Sequence, residues 1–173
     1  MTTAVATSRF DSLLEEIEGL DPNEDAVELG GLYKELCLAA STDQRKVYAY
    51  CLWAMHFVYN AKGERDWDRA HDKYQTALHY CPAGQHRGVV LYNIAVLAYW
   101  TGNPLTTESS AIEALRLVND FVGLDLRADV QRLIMEADRI DRQRPASSVA
   151  HLRTVLSRGA FTLRKVPKPS AEQ

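Results

Sequence analysis

Trp67-Asp68-Arg69-Ala70, Tyr74, Ala77-Leu78 and Pro82, followed by Leu91-Tyr92-Asn93-Ile94-Ala95 and Gly102-Asn103, form the stretch on which the fold turns. The first set spaces small and aromatic side chains three and four positions apart, on one face of a helix, and ends at a proline. The second belongs to an apolar helix that stops at Gly102, because glycine accepts the backbone that closes a helix. Small residues let two helices approach closely, and aromatics fill the space beside them. The pattern therefore predicts helical hairpins stacked side by side.

The same logic extends in both directions. Phe10, Leu13, Leu14 and Ile17 recur at i, i+3, i+4, i+7 and predict an amphipathic helix from about Ser8 to Gly19, broken by Asp21-Pro22-Asn23. A second helix, about Glu24 to Ala40, carries Val27, Leu29, Leu32, Leu36 and Cys37, with Gly30-Gly31 weakening its middle. Ser41-Thr42-Asp43 supplies N-cap residues for a third, about Gln44 to Ala61, which is apolar on most of its circumference and so must be covered on several sides. Gly63 is expected to stop it and Asp66 to cap the fourth helix, which ends before Pro82. The fifth runs from about His86 to Thr101, and Asn103-Pro104 starts a sixth reaching about Asn119. Leu126, Val130, Leu133, Ile134, Ala137 and Ile140 mark a seventh, and Val149, Leu152, Val155 and Leu156 suggest an eighth. The expectation is an all-α fold of seven or eight helices, antiparallel hairpins stacked as a short α-solenoid. Residues 1–165 would form one domain and 166–173 a disordered tail.

At 173 residues, 46% hydrophobic and 25% charged, the chain is long enough to bury a core without a metal or disulfide staple. Cys37, Cys51 and Cys81 form no CxxC pair, so they are expected to fill the core in a reducing compartment. Neither a signal peptide nor a membrane span is visible, which points to the cytoplasm. The net charge of −3 is unevenly spread. Acids dominate residues 1–44, and from Arg142 onward Arg142, Arg144, Arg153, Arg158, Arg164, Lys165 and Lys168 face Glu172 alone. Such asymmetry fits one end docking on the other or on a partner subunit, through Arg153, Arg158, Arg164 and Lys165. Nucleic acid is the less favoured partner, since no aromatic residues interleave the basic ones.

The order of Trp67, Ala70, Tyr74, Ala77-Leu78 and Pro82, then Tyr92 to Ala95 and Gly102, resembles the tetratricopeptide repeat, a helical hairpin of 34 residues. Residues 49–82 and 88–118 give the clearest units. Ala77-Leu78 returns as Ala114-Leu115 after 37 positions and Gly63 as Gly102 after 39, while Thr107 and Ala111 depart from the pattern. The resemblance implies a groove lined by the first helix of each hairpin: Tyr50, Trp53, Phe57 and Asn60, then Val89, Tyr92, Asn93, Val96 and Tyr99. Aromatics are strong binding anchors, and an asparagine amide holds an extended backbone through both its donor and its acceptor. Trp53 and Phe57 replace the basic residues with which that family clamps a carboxyl terminus, so no such clamp is expected here.

Groove and core remain alternatives for Trp53, Tyr92 and Asn93, whereas Tyr48, Leu52 and Met55 read as core. No GxSxG, phosphate loop, HExxH or GxGxxG occurs. His71, His79, Cys81 and His86 lack an established zinc spacing and read as helix-end residues. The expectation is a non-enzymatic module without metal, cofactor or catalytic residues, an adaptor, scaffold or assembly chaperone that binds an apolar or extended segment of another protein. The rivals are a constitutive subunit of a homo- or hetero-oligomer and, less favoured, a basic-tailed binder of nucleic acid or an anionic surface.

Overall fold

The computed structural model describes residues 8–22, 24–82, 84–117, 124–137 and 161–169. Among them are seven helices and no strand: α1 (Arg9–Glu18), α2 (Ala26–Ala39), α3 (Asp43–Tyr59), α4 (Glu64–Tyr80), α5 (Gln85–Trp100), α6 (Pro104–Leu117) and α7 (Leu124–Ala137). The fold is all-α, as the periodicity predicts. The helix expected around Val149 to Leu156, and with it Arg153 and Arg158, lies outside the described residues.

Several helix ends have an identifiable cause. Ser8 caps α1 by accepting the Asp11 N–H at 3.3 Å, and Thr42 caps α3 by accepting the Arg45 N–H at 3.2 Å. The α5–α6 turn serves both of its helices. Gly102, at φ +72°, lets its own N–H reach the Tyr99 carbonyl (3.1 Å) and the Asn103 N–H reach that of Ala98 (2.8 Å), and the Asn103 side chain then caps α6 through the Thr106 N–H. The α3–α4 turn departs from expectation. Asn60, not Gly63, closes α3, and Gly63 is the N-cap residue of α4. Asp66 lies inside the first turn and reaches back to accept the Lys62 N–H at 2.9 Å, where a carboxylate also meets the positive end of the helix dipole.

Packing follows chain order. The α3–α4 and α5–α6 hairpins are the most extensive pairs, α1 packs on α2, α2 on α3, α4 on α5 and α6 on α7, and α5 also meets α7. Fully buried alanines occupy the positions that the hairpin pattern singles out, Ala70, Ala77, Ala95 and Ala114, and Ala111, which departs from that pattern, is fully buried as well. Tyr74 and Tyr92 fill the adjoining space, and Trp67 meets Trp100 edge-on at 6.2 Å between α4 and α5. Gly30 and Gly31 do not interrupt α2. The Gly30 backbone instead lies beneath His56 of α3, whose Nε2 would be 3.7 Å from an added Cβ. Arg45 is buried and ties α1 to α3, donating to Ser8 Oγ (3.1 Å) and Asp11 (3.2 Å) and lying over the Phe10 ring.

Residues 161–169 run without helix or strand, with Phe161, Leu163 and Val166 buried; of the tail expected from residue 166 onward, Val166 is buried, Pro167 and Lys168 are exposed and Pro169 is half-buried. Phe161, Leu163 and Val166 give the segment apolar side chains to bury, and Pro167 and Pro169 disfavour helix there. Residues 170–173 lie outside the described residues.

Candidate binding groove

Residues 161–169 contact α1, α5 and α7. On α5, Asn93 Nδ2 donates to the Arg164 carbonyl and Asn93 Oδ1 accepts the Arg164 N–H, both at 2.8 Å. A side-chain amide so placed mimics a neighbouring β-strand and holds main chain without regard to side chain. On each side of that clamp the contacts are specific. Phe161 meets the edge of Tyr99 at 5.3 Å, with the Arg132 guanidinium 5.5 Å from its ring. The Arg164 side chain donates to Asp129 of α7 at 2.8 Å, and Lys168 reaches Glu18 of α1 at 3.2 Å. Lys168 thus meets the acidic end at Glu18 through one exposed pair, whereas Arg164 pairs with Asp129 of α7.

Asp129 is largely buried and serves Arg132, one turn along its own helix, as well as Arg164. A buried carboxylate is tolerable only when charge-assisted bonds replace its water, and here two guanidinium groups do so. The Arg164 pKa is raised, first by its hydrogen bond to Asp129. Burial, reinforced by Asp129 and opposed by Arg164, pushes the Tyr92 hydroxyl up to about 12, so the phenol stays neutral beneath the segment.

The residues predicted to line one groove fall into two groups. Tyr92, Asn93 and Val96 are fully buried and Val89 nearly so, and Tyr99 is half-buried against Phe161. Asn93 and Tyr99 contact the segment directly, Asn93 by holding this chain's own backbone at Arg164. Tyr50, Trp53 and Phe57 occupy a different face of α3. Their rings stack in a row with Tyr80 of α4, at centroid spacings of 6.0 Å (Tyr80–Tyr50), 6.5 Å (Tyr50–Trp53) and 5.9 Å (Trp53–Phe57). Lys46, Lys73 and Arg69 sit over Tyr80, Trp53 and Phe57. Tyr48 is roughly half a helical turn around α3 from this row, within electrostatic reach of Lys168 and Glu18, so the side of α3 turned toward the segment is the one read as core. Asn60 spends its amide on its own helix, donating to the His56 carbonyl at 3.1 Å. Of the expected docking residues, Arg164 is in the groove and Lys165 is exposed.

Sequence reasoning missed Glu18, Asp129, Arg132 and the anchors Phe161, Leu163 and Val166. The anchors did carry a signal, since Phe161-Thr162-Leu163 alternates with the two-residue period of an extended chain.

The reactive side chains elsewhere are subdued. Burial pushes the thiols of Cys37 and Cys81 up to about 12 and about 11, against the nearby Lys73 and Arg87, and raises Cys51 as well, which leaves all three poor nucleophiles at neutral pH. His71 lies beside Gln75 and His79 against Tyr80. Among the described residues no group of three or more His, Cys, Asp or Glu is placed to hold a metal ion, and no helix is long and apolar enough to cross a membrane. Comparison with protein-family models, with curated proteins and with solved structures returns no match for this chain.

Proposed function

We propose that this chain is a non-enzymatic protein-interaction module of the tetratricopeptide-repeat kind, an adaptor or assembly chaperone, which holds an extended, partly apolar segment of another protein against α1, α5 and α7. One observation carries the reading: Asn93, fully buried, spends both its donor and its acceptor on the backbone of an extended segment. A core asparagine that only filled space would be a costly choice, because its two polar groups need partners that an apolar side chain does not. Aromatic, aliphatic and acidic side chains beside that clamp supply side-chain selectivity.

The test is photo-crosslinking in the native cell, with a benzophenone amino acid replacing Tyr99 beside the groove or Leu105, which is 71% exposed on α6. Adducts to another polypeptide from position 99 and none from 105 are the expected result. Intramolecular adducts alone from position 99 would rule the reading out.

A second reading, a constitutive subunit, draws on α2, where Val27 and Leu38 are 91% and 79% exposed on one helical stripe. It requires self-association or aggregation of the isolated chain that Val27→Ser and Leu38→Ser relieve.

A further inference from the structure

We propose that segment 161–169 is an exchangeable occupant of the groove, and that the external ligand is an extended segment of a partner protein written in the same chemistry: apolar, any, apolar, arginine, any, apolar. The proposal rests on the partner-binding reading above and specifies its ligand.

Each specified position of the pattern has its counterpart in the groove or in the burial of its own side chain. Phe161 at the first position meets Tyr99 and Arg132. Leu163 and Val166, at the third and sixth, are buried, whereas Thr162 and Lys165 between them are exposed and unconstrained. Arg164 at the fourth is read twice, its backbone by Asn93 and its guanidinium by Asp129, and the fork geometry of arginine suits a carboxylate that Arg132 already orients. Beyond the sixth position Lys168 meets Glu18 with both side chains more than half exposed, a pairing that steers a basic ligand without fixing it. Asp129 and Glu18, the carboxylates that meet Arg164 and Lys168, favour a partner segment with basic side chains at those two positions.

Three features make the occupant exchangeable. It has no helix or strand of its own, so leaving the groove sacrifices no internal ladder. Its central main-chain bonds go to a side chain that would hold any other extended backbone equally well. Helices α1 to α6 pack in chain order without it. A tethered occupant of this kind lowers the apparent affinity for an external one by the fraction of time the groove is open.

The experiment uses the full chain and a fluorescent peptide copying residues 160–169, followed by polarisation. A chain carrying Leu163→Asp and Val166→Asp, which releases its own segment, binds the peptide about tenfold or more tightly than the wild type does. A peptide with Arg164→Glu loses about tenfold on the released chain and regains affinity when that chain also carries Asp129→Arg. Hydrogen exchange on the unaltered chain supplies a second measurement, with amides 163–166 expected to open while the α5 interior stays protected. Three results overturn the proposal: a folded released chain that does not bind the peptide, amides 163–166 that exchange only with global unfolding, or a wild type that dimerises by trading its segment with a second copy. If position 99 captures a partner but the peptide does not bind, the ligand pattern falls and the partner-binding reading stands. If position 99 captures none, the reading beneath the proposal falls.

Discussion

Asn93 and Arg164, 71 positions apart, exchange two 2.8 Å hydrogen bonds between one side chain and one backbone unit. Replacing Asn93 with alanine removes both and leaves the Arg164 N–H and C=O without these partners. At about 1 kcal/mol net for each lost bond, global stability should fall by about 2–3 kcal/mol while the segment detaches. Hydrogen exchange would show this as accelerated exchange at 163–166 with little change inside α5, and equal deprotection of both would contradict it.

Much of this architecture is legible in the chain. Phe10, Leu13, Leu14 and Ile17 declare the buried face of α1, and Asn103-Pro104 declares where α6 begins, because both signals are local and depend only on helical geometry. What α3 turns toward the groove was not legible. A helix apolar nearly all round gives little phase, so the sequence could set Tyr48 in the core and the row from Tyr50 to Phe57 in a groove but not say which of the two sides lies nearer the segment. The pairing of Asn93 with Arg164 was hidden for a different reason: an asparagine's partner across 71 residues leaves no periodic trace.

The buried alanines set a packing limit. Ala70 and Ala77 are fully buried on the face of α4 that carries Tyr74, so Ala77→Leu must push three extra carbons into a filled space. The expected cost is about 1–3 kcal/mol or more, seen as a lower urea midpoint with an unchanged slope. An unaffected midpoint would mean that the hairpin crossing has room, contrary to the close approach that the alanines provide.

Two glycines should respond in opposite directions to alanine. Gly102 sits at φ +72°, where a Cβ costs about 1–2 kcal/mol, so Gly102→Ala lowers the melting temperature by several degrees. Gly31 lies inside α2 with open space where its Cβ would be, so Gly31→Ala stabilises by about 0.5–1 kcal/mol. Calorimetry on the two variants reads both signs in one experiment.

His56 gives the fold a dependence on pH whose sign follows from its surroundings. The ring packs between Tyr33 and Phe57, with Nδ1 3.3 Å from the Asn60 amide nitrogen. If that amide donates, Nδ1 is the unprotonated nitrogen, and a proton there would set donor against donor. Burial lowers the His56 pKa below the ordinary 6.5, with Asp66 pulling the other way. The unfolded chain therefore takes up the proton at a higher pH than the folded one does. Between the two values the unfolded state holds more protons, so the His56 contribution is fully present above pH 6.5 and is lost as pH falls through the folded value. Burial shifts His86 in the same direction, and it adds to the loss. Urea unfolding of wild type and His56→Gln at neutral pH and again near pH 5 isolates the effect, since glutamine accepts from Asn60 without titrating. The wild type should lose more stability on acidification than the variant, and equal losses would mean that His56 is protonated in the folded chain at no cost.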